Sequence, residues 1–198
     1  MKTPWSRNIY RLDKMWRKPG CRFYRKTIRD KIVELMKPNE KLLDVGCGSG
    51  ILYEYLPPEI RRNYIGVDFT PEFIELCKKR YPEGNWKIED VRNLSFPDNS
   101  FYLVNSTTVL QHILEWKDAA KEFVRVSKKY VISTCRTHNM RTQIVAKKPV
   151  LRRRFNPQDI INFYSQYGNV TWQWVRNTDG KKLLGMYILI KEHNMGEV

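Results

Sequence analysis

LLDVGCGSG, residues 42–50, decides the fold of this chain, because an apolar run breaks here into alternating glycines. The run Leu42–Val45 predicts a buried strand. Gly46, Gly48 and Gly50 lack a Cβ, so their backbone can take positive φ and lie close against a bound molecule. The helix that follows would begin with free N–H groups facing that molecule. The stretch therefore predicts a strand, a ligand-binding turn and a helix.

The details of the turn choose among nucleotide-like ligands. The dinucleotide fingerprint G-x-G-x-x-G would need a small residue at position 51, where this chain has Ile51. The phosphate-binding pattern G-x-x-x-x-G-K-[ST] fails, because neither Lys-Ser nor Lys-Thr follows Gly50. Instead Asp44 lies two residues before the first glycine, and its carboxylate would repel a pyrophosphate and attract an ammonium group. S-adenosylmethionine carries an ammonium and a carboxylate and has no phosphate.

The turn resembles the first motif of class I S-adenosylmethionine-dependent methyltransferases, in the form common in their small single-domain, methyltransferase type 11-like branch. The resemblance covers about residues 40–191. It implies a Rossmann-like three-layer α/β sandwich with a seven-stranded, mostly parallel sheet whose last strand is antiparallel. It also implies S-adenosylmethionine as cofactor and S-adenosylhomocysteine as product. The implied cofactor loop comprises Asp44, Gly46, Cys47, Gly48 and Gly50.

A second carboxylate follows the next predicted strand. Residues 64–67 predict a buried strand that ends in Asp68, 22 positions after Gly46. This spacing is close to the roughly 20 residues expected for an acid that hydrogen-bonds a ribose in a βαβ unit. We therefore predict that Asp68 binds the ribose hydroxyls and that the adjacent Phe69 also contacts the cofactor.

The ends of the third and fourth predicted strands supply the remaining cofactor residues. A strand at 86–89 is followed by Asp90 and Val91. The resemblance implies that Asp90 binds the adenine amino group and that the N–H of Val91 contacts the ring. The fourth predicted strand ends in Asn105, and Ser106 follows it. The resemblance implies that these two residues lie beside the transferred methyl group.

The stretch after the fourth strand bears on the acceptor. Residues 105–108 are Asn-Ser-Thr-Thr and lack the Asp/Asn-Pro-Pro-aromatic pattern of enzymes that methylate the amino groups of bases, so adenine and cytosine amino methylation are disfavoured. His112 is the candidate general base, because an ordinary histidine pKa of about 6.5 suits proton transfer at neutral pH. The alternative is a structural hydrogen bond from His112 in the core.

The charge is strongly positive and unevenly distributed. The chain has 36 Lys+Arg against 21 Asp+Glu, which gives a formal net charge of +15. One basic cluster lies within the first 31 residues, and a second lies in residues 141–158, where no acidic residue occurs. This distribution predicts RNA or another anionic partner, with a solvated basic surface as the alternative.

The chain shows no pattern of a metal site or a membrane span. Cys21, Cys47, Cys77 and Cys135 are scattered without a C-x-x-C pair, so we expect reduced thiols and no metal. No apolar run approaches the roughly 18 residues of a membrane helix, and residues 1–18 lack the apolar stretch of a signal peptide. These features predict a cytoplasmic protein with no membrane partner.

The rest of the chain predicts one domain over residues 1–198, with a basic and aromatic cap at 1–37 and a core at 40–191. In similar methyltransferases the leading segment folds over the cofactor and acceptor pocket. The connection 135–156 is long and basic, and the resemblance puts it on the acceptor side. The expected helices are 22–36, 51–55, one capped by Thr70, 116–126, and one capped by Asn156 and ended by Gly168. The expected further strands are 130–134, 170–176 and 182–190, the last two joined by a turn at 177–180.

Three functions remain open at this stage. The first is methyl transfer to a small or metabolite-like acceptor. The second is an RNA- or protein-directed methyltransferase, favoured by the charge and by aromatic residues mixed with arginines near the N-terminus. The third is a catalytically silent cofactor-binding subunit that lends its basic face to a partner. Salt-sensitive nucleic-acid binding would favour the second, and activity only with a partner would favour the third.

Overall fold

The computed structural model describes residues 3–138, 142–146, 150–176 and 182–192. Two helices precede the first strand, and the other five described α-helices lie between successive strands. The helices are α1 (Ile9–Trp16), α2 (Pro19–Leu35), α3 (Ile51–Tyr55), α4 (Pro58–Arg61), α5 (Pro71–Arg80), α6 (Trp116–Val126) and α7 (Pro157–Tyr164). The strands are β1 (Leu42–Val45), β2 (Tyr64–Asp68), β3 (Asn85–Ile88), β4 (Phe101–Thr107), β5 (Ser127–Cys135), β6 (Gln143–Ala146), β7 (Arg152–Arg154), β8 (Gly168–Arg176) and β9 (Lys182–Lys191).

Seven strands form one sheet in the order β3-β2-β1-β4-β5-β9-β8. Strands β1 to β5 pair in parallel, whereas β9 is antiparallel to both β5 and β8. The predicted mostly parallel sheet with an antiparallel last strand is therefore confirmed. The strand order reverses at β1, which lies between β2 and β4. In open α/β sheets, ligands bind at the carboxyl ends of the strands on either side of such a reversal.

Helices cover both faces of this sheet and give the predicted three layers. On one face, α6 and α7 bury Phe123 and Phe163 in the larger apolar cluster. On the other face, α2 and α5 bury Ile28 and Ile74 in a second cluster. Strand β1 is buried along its whole length, which explains why three of its four residues are apolar.

The structure corrects one predicted helix start and one predicted capping bond. Helix α2 begins at Pro19 and not at residue 22, because proline suits the first helical turn, where its missing N–H leaves no bond unmade. Thr70 occupies the position before α5 but makes no capping bond with its side chain. Instead, Oδ1 of Asp68 accepts the Thr70 N–H at 2.9 Å.

The predicted end of α7 was also wrong. Asn156 caps this helix as expected, since its Oδ1 accepts the N–H of Gln158 at 2.8 Å. The helix ends at Tyr164, and Gly168 starts β8. Gly168 has a φ of 151°, and a Cβ there would lie 2.2 Å from the carbonyl oxygen of Ile190. Glycine is thus required by close strand contact and not by a helix terminus.

The long connection after β5 has structure of its own. Strands β6 and β7 pair antiparallel in a small separate sheet, called the hairpin below. Its stem is tied to β5, because Thr137 bridges to Phe155. The predicted turn at 177–180 lies outside the described residues. The described strands β4 and β5 are longer than the sequence pattern predicted, and β3 begins one residue earlier.

Within the described ranges, no helix has the length and apolar character that crossing a membrane requires. The same residues contain no group of three or more His, Cys, Asp or Glu side chains close enough to share a metal ion. All four cysteines carry free thiols.

Candidate functional site

The glycine turn lies at the carboxyl end of β1. Gly46, Gly48 and Gly50 have φ of 72°, 55° and 72°, the left-handed region that favours glycine. The N–H groups of Gly46 and Cys47 donate to the carbonyl of Val67 at 2.8 and 2.9 Å. These bonds fasten the turn to β2 at the carboxyl edge of the sheet.

Asp44 is buried beneath the turn, and both of its oxygens are occupied. Oδ2 accepts from the hydroxyl of Tyr64 at 2.8 Å, and Oδ1 accepts from the amide nitrogen of Asn105 at 2.7 Å. Burial raises the pKa of Asp44 to about 6, although both hydrogen bonds and the charge of Arg25 oppose the rise. Asp44 has no ion-pair partner in the described part of the chain. A buried carboxylate in this state favours a cationic ligand group.

Several buried polar atoms near Asp44 lack a hydrogen-bond partner among the described residues. They include Asn105 Oδ1 and Ser106 Oγ. The amide nitrogen of Asn105 donates to Asp44 and to Thr107 Oγ1, so the orientation of the amide is set and its oxygen is left without a donor. An unsatisfied buried polar atom costs about 1–3 kcal/mol. The ammonium of S-adenosylmethionine fits this place, since it supplies donors for Asn105 Oδ1 and a charge that offsets Asp44.

Asp68 ends β2 beside the glycine turn. Its Oδ2 accepts the N–H of Gly48 at 3.0 Å, and its Oδ1 accepts the N–H of Thr70 at 2.9 Å. Burial raises the pKa of Asp68, and these backbone donors oppose the rise. Each carboxylate oxygen keeps a further lone pair, so Asp68 can still accept two hydroxyl hydrogens. The neighbouring Phe69 is 45% exposed and offers apolar surface at the same edge.

Asp90 and Val91 follow β3. Both oxygens of Asp90 accept from the guanidinium of Arg92, at 3.0 Å from Nε and 2.7 Å from Nη2. These bonds lower the pKa of Asp90. The Val91 side chain is buried in the core, so its N–H is the group that remains for a ligand. An adenine amino group bound at Asp90 would share the carboxylate with Arg92.

Cys47 is a buried thiol within the turn. The sulfur atoms of Cys47 and Cys77 lie 3.8 and 3.2 Å from the carbonyl oxygen of Gly48. Burial and the neighbouring Cys77 raise the pKa of Cys47 well above its usual value. Since the thiolate is the nucleophilic form, Cys47 fills space beside Cys77 and is poorly suited to attack a substrate.

His112 lies in a chain of three hydrogen bonds. The N–H of Arg136 donates to Gln111 Oε1 at 2.8 Å, which orients the Gln111 amide so that its nitrogen faces His112 Nε2 at 3.2 Å. The other ring nitrogen, Nδ1, donates to the carbonyl of Leu151 at 2.6 Å. Burial lowers the pKa of His112, and the charges of Arg152 and Arg136 lower it further. The ring is thus neutral, protonated on Nδ1, and both nitrogens are engaged.

A strained residue lies between β4 and His112. Thr108 has a φ of 59°, and a β-branched residue in this region costs about 1–3 kcal/mol. Its N–H donates to the carbonyl of Thr134 at 2.9 Å, which holds the bend. The bend brings Val109 onto the glycine turn, where a Cβ at Gly46 would lie 2.3 Å from Val109 Cγ2. No sequence signal marked Thr108, because threonine has no preference for this conformation.

Residues 3–16, here called the roof, cross the carboxyl edge of the sheet. The indole of Trp5 packs edge-on against the His112 ring, with centroids 5.0 Å apart. The ring of Trp16 lies over the turn, since a Cβ on Gly48 would be 2.9 Å from Trp16 Cζ3. Thr3 Oγ1 lies 3.2 Å from Thr70 Oγ1. The roof therefore spans from the end of β2 to the region after β4.

An ion-pair cluster fastens the roof. Asp13 on α1 is 8% exposed and binds both Arg80 of α5 and Arg17. The two Arg80 nitrogens lie 3.0 Å from the two Asp13 oxygens, a bidentate geometry. These partners lower the pKa of Asp13 despite its burial. Sequence reasoning missed Asp13, because an acid at this position looks like any helix-surface residue until the fold brings Arg80 beside it.

Arg153 holds the hairpin against the region of His112. Its guanidinium is 6% exposed and donates to the carbonyls of Ile113 at 2.5 Å and Leu114 at 2.9 Å. It also lies over the ring of Phe155 at 5.6 Å. Sequence reasoning missed Arg153 and Gln111. The three consecutive arginines of β7 predicted a solvated charge cluster. Successive side chains of a strand point to opposite sides, so β7 buries only its middle residue, Arg153.

Comparisons with known proteins give matches to methyltransferases. A family profile described as methyltransferase domain matches residues 43–132. The 2-methyl-6-phytyl-1,4-hydroquinone methyltransferase of Synechocystis is 29% identical over 61% of this chain and 41% of its own length. The chain spans less than half the length of the curated relatives that it matches.

Two solved structures share the fold over nearly the whole chain. One is the methyltransferase in complex with the Haloferax volcanii Trm112 methyltransferase activator, with a TM-score of 0.77, 14% identity and 98% coverage of both chains. The other is the 1,6-didemethyltoxoflavin-N1-methyltransferase of Burkholderia thailandensis with bound 1,6-didemethyltoxoflavin and S-adenosylhomocysteine. Its TM-score is 0.76, with 15% identity over 96% of this chain and 86% of that one. Residues 43–132 thus match the methyltransferase-domain family, and the chain shares the fold of class I S-adenosylmethionine-dependent methyltransferases.

Proposed function

We propose that the chain transfers a methyl group from S-adenosylmethionine to a small acceptor. The observation that carries this proposal is the buried pair of Asp44 and Asn105 beside the left-handed glycines. The ligand ammonium would donate to Asn105 Oδ1 and offset the Asp44 charge. Asp68 would accept the ribose hydroxyls, and Asp90 would accept from the adenine amino group.

Arg25 is the best-placed residue for the ligand carboxylate. It lies on α2, and its charge acts on Asp44, so it is close to the proposed ammonium site. Its Nε is buried and has no hydrogen-bond partner in the described part of the chain. A guanidinium matches a carboxylate in both charge and geometry. In this arrangement Asp44 and Arg25 bind opposite charges of the same amino-acid group.

The chemistry needs little from the protein beyond placement. S-adenosylmethionine supplies a methyl group already activated on a sulfonium, and the chain holds donor and acceptor in line and limits access of water. Trp5 and Trp16 of the roof would limit the access of water. His112 stays a predicted base. Its Nε2 faces the Gln111 amide, so proton transfer to His112 would require that amide to turn away.

Two segments enclose the carboxyl edge of the sheet near His112, and this enclosure favours a small acceptor over a polymer. The roof lies against His112 through Trp5, and the hairpin reaches the same residue through Leu151. Two segments thus converge on the place where a methyl acceptor would enter. The Synechocystis relative is by name a hydroquinone methyltransferase, which supports a small molecule.

Calorimetric titration tests the donor assignment. S-adenosylmethionine and S-adenosylhomocysteine should bind, NAD should not, and methylthioadenosine, which lacks the amino-acid group, should bind more weakly than S-adenosylhomocysteine. Transfer of labelled methyl from S-adenosylmethionine should then be measured with small hydroxylated and amine acceptors and with RNA. Absence of sulfonium-cofactor binding, or tighter binding of NAD, would overturn the proposal.

Binding should depend on pH through Asp44. The pKa of Asp44 is raised to about 6 in the ligand-free chain, and a bound ammonium would lower it again. Affinity for S-adenosylhomocysteine should therefore fall as the pH drops through about 6, approaching about tenfold per pH unit below it. The Asp44→Asn variant should bind weakly at every pH and lose this dependence. An unchanged pH profile in Asp44→Asn would assign the titration to another group.

A second candidate is a subunit that acts with a partner. The Haloferax methyltransferase, which matches this chain from end to end in fold, was solved in a complex with an activator. Its 14% identity supports only the fold, so a partner for this chain is a proposal. Methyl transfer that is absent with the chain alone and appears with a co-purified protein would favour this candidate.

A further inference from the structure

We infer that the methyl acceptor carries a phosphate or carboxylate group, which Arg136 and Arg152 bind beside His112. The inference rests on the proposed function, because it names the acceptor class for the same site. It differs from a general preference for anions, since it assigns the recognition to two arginines out of the many basic residues of the chain.

The backbones of both arginines are fixed next to His112. Arg136 follows the carboxyl end of β5, where its N–H binds Gln111 and its carbonyl accepts the N–H of Phe155 at 2.9 Å. Arg152 directly follows Leu151, whose carbonyl accepts from His112. One arginine therefore comes from the main sheet and the other from the hairpin, and His112 lies between their two attachments.

The charges of both side chains reach the same place. The positive charges of Arg152 and Arg136 both act on His112 and lower its pKa. Two like charges held near one another are unfavourable unless an anion lies between them. Residues 141–158 contain no acid, Asp159 accepts from the hydroxyl of Thr142, and the charge of Glu115 acts on Arg153.

Several arginines elsewhere in the fold are paired with carboxylates. Arg17 and Arg80 bind Asp13, Arg92 binds Asp90, and Arg125 binds both Asp98 and Glu122. Neither Arg136 nor Arg152 forms an ion pair within the ranges the structure describes, and both side chains are exposed at this edge. Guanidinium groups without acid partners are suited to bind a phosphate or carboxylate in a forked geometry.

The position of the pair favours a small anionic molecule over RNA. Trp5 of the roof covers His112 on one side, and the hairpin bounds it on the other. An anionic group held by Arg136 and Arg152 would keep the rest of a small acceptor next to the ends of β4 and β5. Ser106 Oγ and Thr134 Oγ1, which are buried and unpartnered among the described residues, lie at those strand ends.

The test measures binding of inorganic phosphate and of acetate, with and without saturating S-adenosylhomocysteine. Calorimetry gives the affinity, and the NMR signals of the His112 ring report whether the anion binds beside it. The variants are Arg136→Gln and Arg152→Gln. The matched control is Arg154→Gln, which removes the same charge from the same strand, and Arg154 is also exposed. Thermal unfolding of each variant checks that the fold is retained.

We expect saturable binding of at least one anion to the wild type and to Arg154→Gln, with a shift of the His112 signals. Arg136→Gln and Arg152→Gln should each weaken it at least about tenfold, because each removes a charged hydrogen-bond donor. S-adenosylhomocysteine affinity should be unchanged in all three. Failure of the wild type to bind S-adenosylhomocysteine would overturn the proposed function, while the anion titration still tests the two arginines.

Two results would overturn the inference itself. The first is no saturable anion binding, or an equal loss in Arg136→Gln, Arg152→Gln and Arg154→Gln, which would indicate a diffuse basic surface. The second is tight, salt-sensitive binding of single-stranded oligouridine that all three variants weaken alike, which would assign this edge to RNA.

Discussion

Replacing Asp68 by alanine should weaken binding of S-adenosylmethionine by at least about a hundredfold, measured by calorimetry. Two ribose hydroxyls donating to one carboxylate form two charged hydrogen bonds, each worth about 1.5–3 kcal/mol. Asp68 also accepts the N–H groups of Gly48 and Thr70, so the variant additionally loosens the turn that approaches the ligand. Both effects act in the same direction on affinity.

A matched variant separates this effect from a general loss of negative charge. Asp118 is an exposed acid on α6, with only a surface ion pair to Lys121, and Asp118→Ala should bind the cofactor as the wild type does. Thermal unfolding shows whether Asp68→Ala remains folded. A folded Asp68→Ala variant with affinity within about threefold of the wild type would exclude Asp68 as the ribose-binding residue.

Replacing Gly46 by alanine should destabilise the chain by about 3 kcal/mol, because it combines left-handed backbone strain with overpacking. Gly46 has a φ of 72°, and the added Cβ would lie 2.3 Å from Val109 Cγ2. The added Cβ therefore requires the Val109 side chain or the turn itself to shift. For a chain of this size the melting temperature should fall by about 6–12 °C.

A second substitution divides the cost of Gly46→Ala into its two parts. Val109→Ala in the same chain removes the methyl group that the new Cβ would meet, so the double variant should recover the packing part and keep the backbone part. Val109→Ala alone gives the reference for a double-mutant cycle. An unaltered melting temperature in Gly46→Ala, or additive effects in the cycle, would contradict the close contact between this turn and the segment after β4.

Local sequence predicted the sheet and the glycine turn well, because short-range rules govern both. The apolar run Leu42–Val45 and the glycines after it form the predicted strand and left-handed turn. Asp68 and Asp90 lie at the carboxyl ends of their strands as expected, since parallel strands present these ends at one edge. The errors concerned local ends, such as the role given to Gly168, where a contact with Ile190 overrides the helix-terminus preference.

The groups around His112 could not be predicted in the same way. Trp5 and Gln111 acquire their roles only when the roof and the end of β5 converge on the histidine. Leu151 contributes a carbonyl oxygen, a group that every residue has and no pattern marks. Contacts between segments so far apart in the chain depend on docking of whole elements.

The sequence by itself determined the fold class, the glycine turn and the carboxylates at the strand ends, because strand periodicity, glycine conformation and the spacing of a βαβ unit are properties of short segments. The tertiary structure alone decided that Asn105 leaves a buried oxygen beside Asp44 and that Asp13 fastens the roof. It also decided that Arg136 and Arg152 have no ion pair in the described ranges while arginines such as Arg80 and Arg125 are paired. Burial and pairing of charges depend on which distant segments meet, and that information is spread over the whole chain.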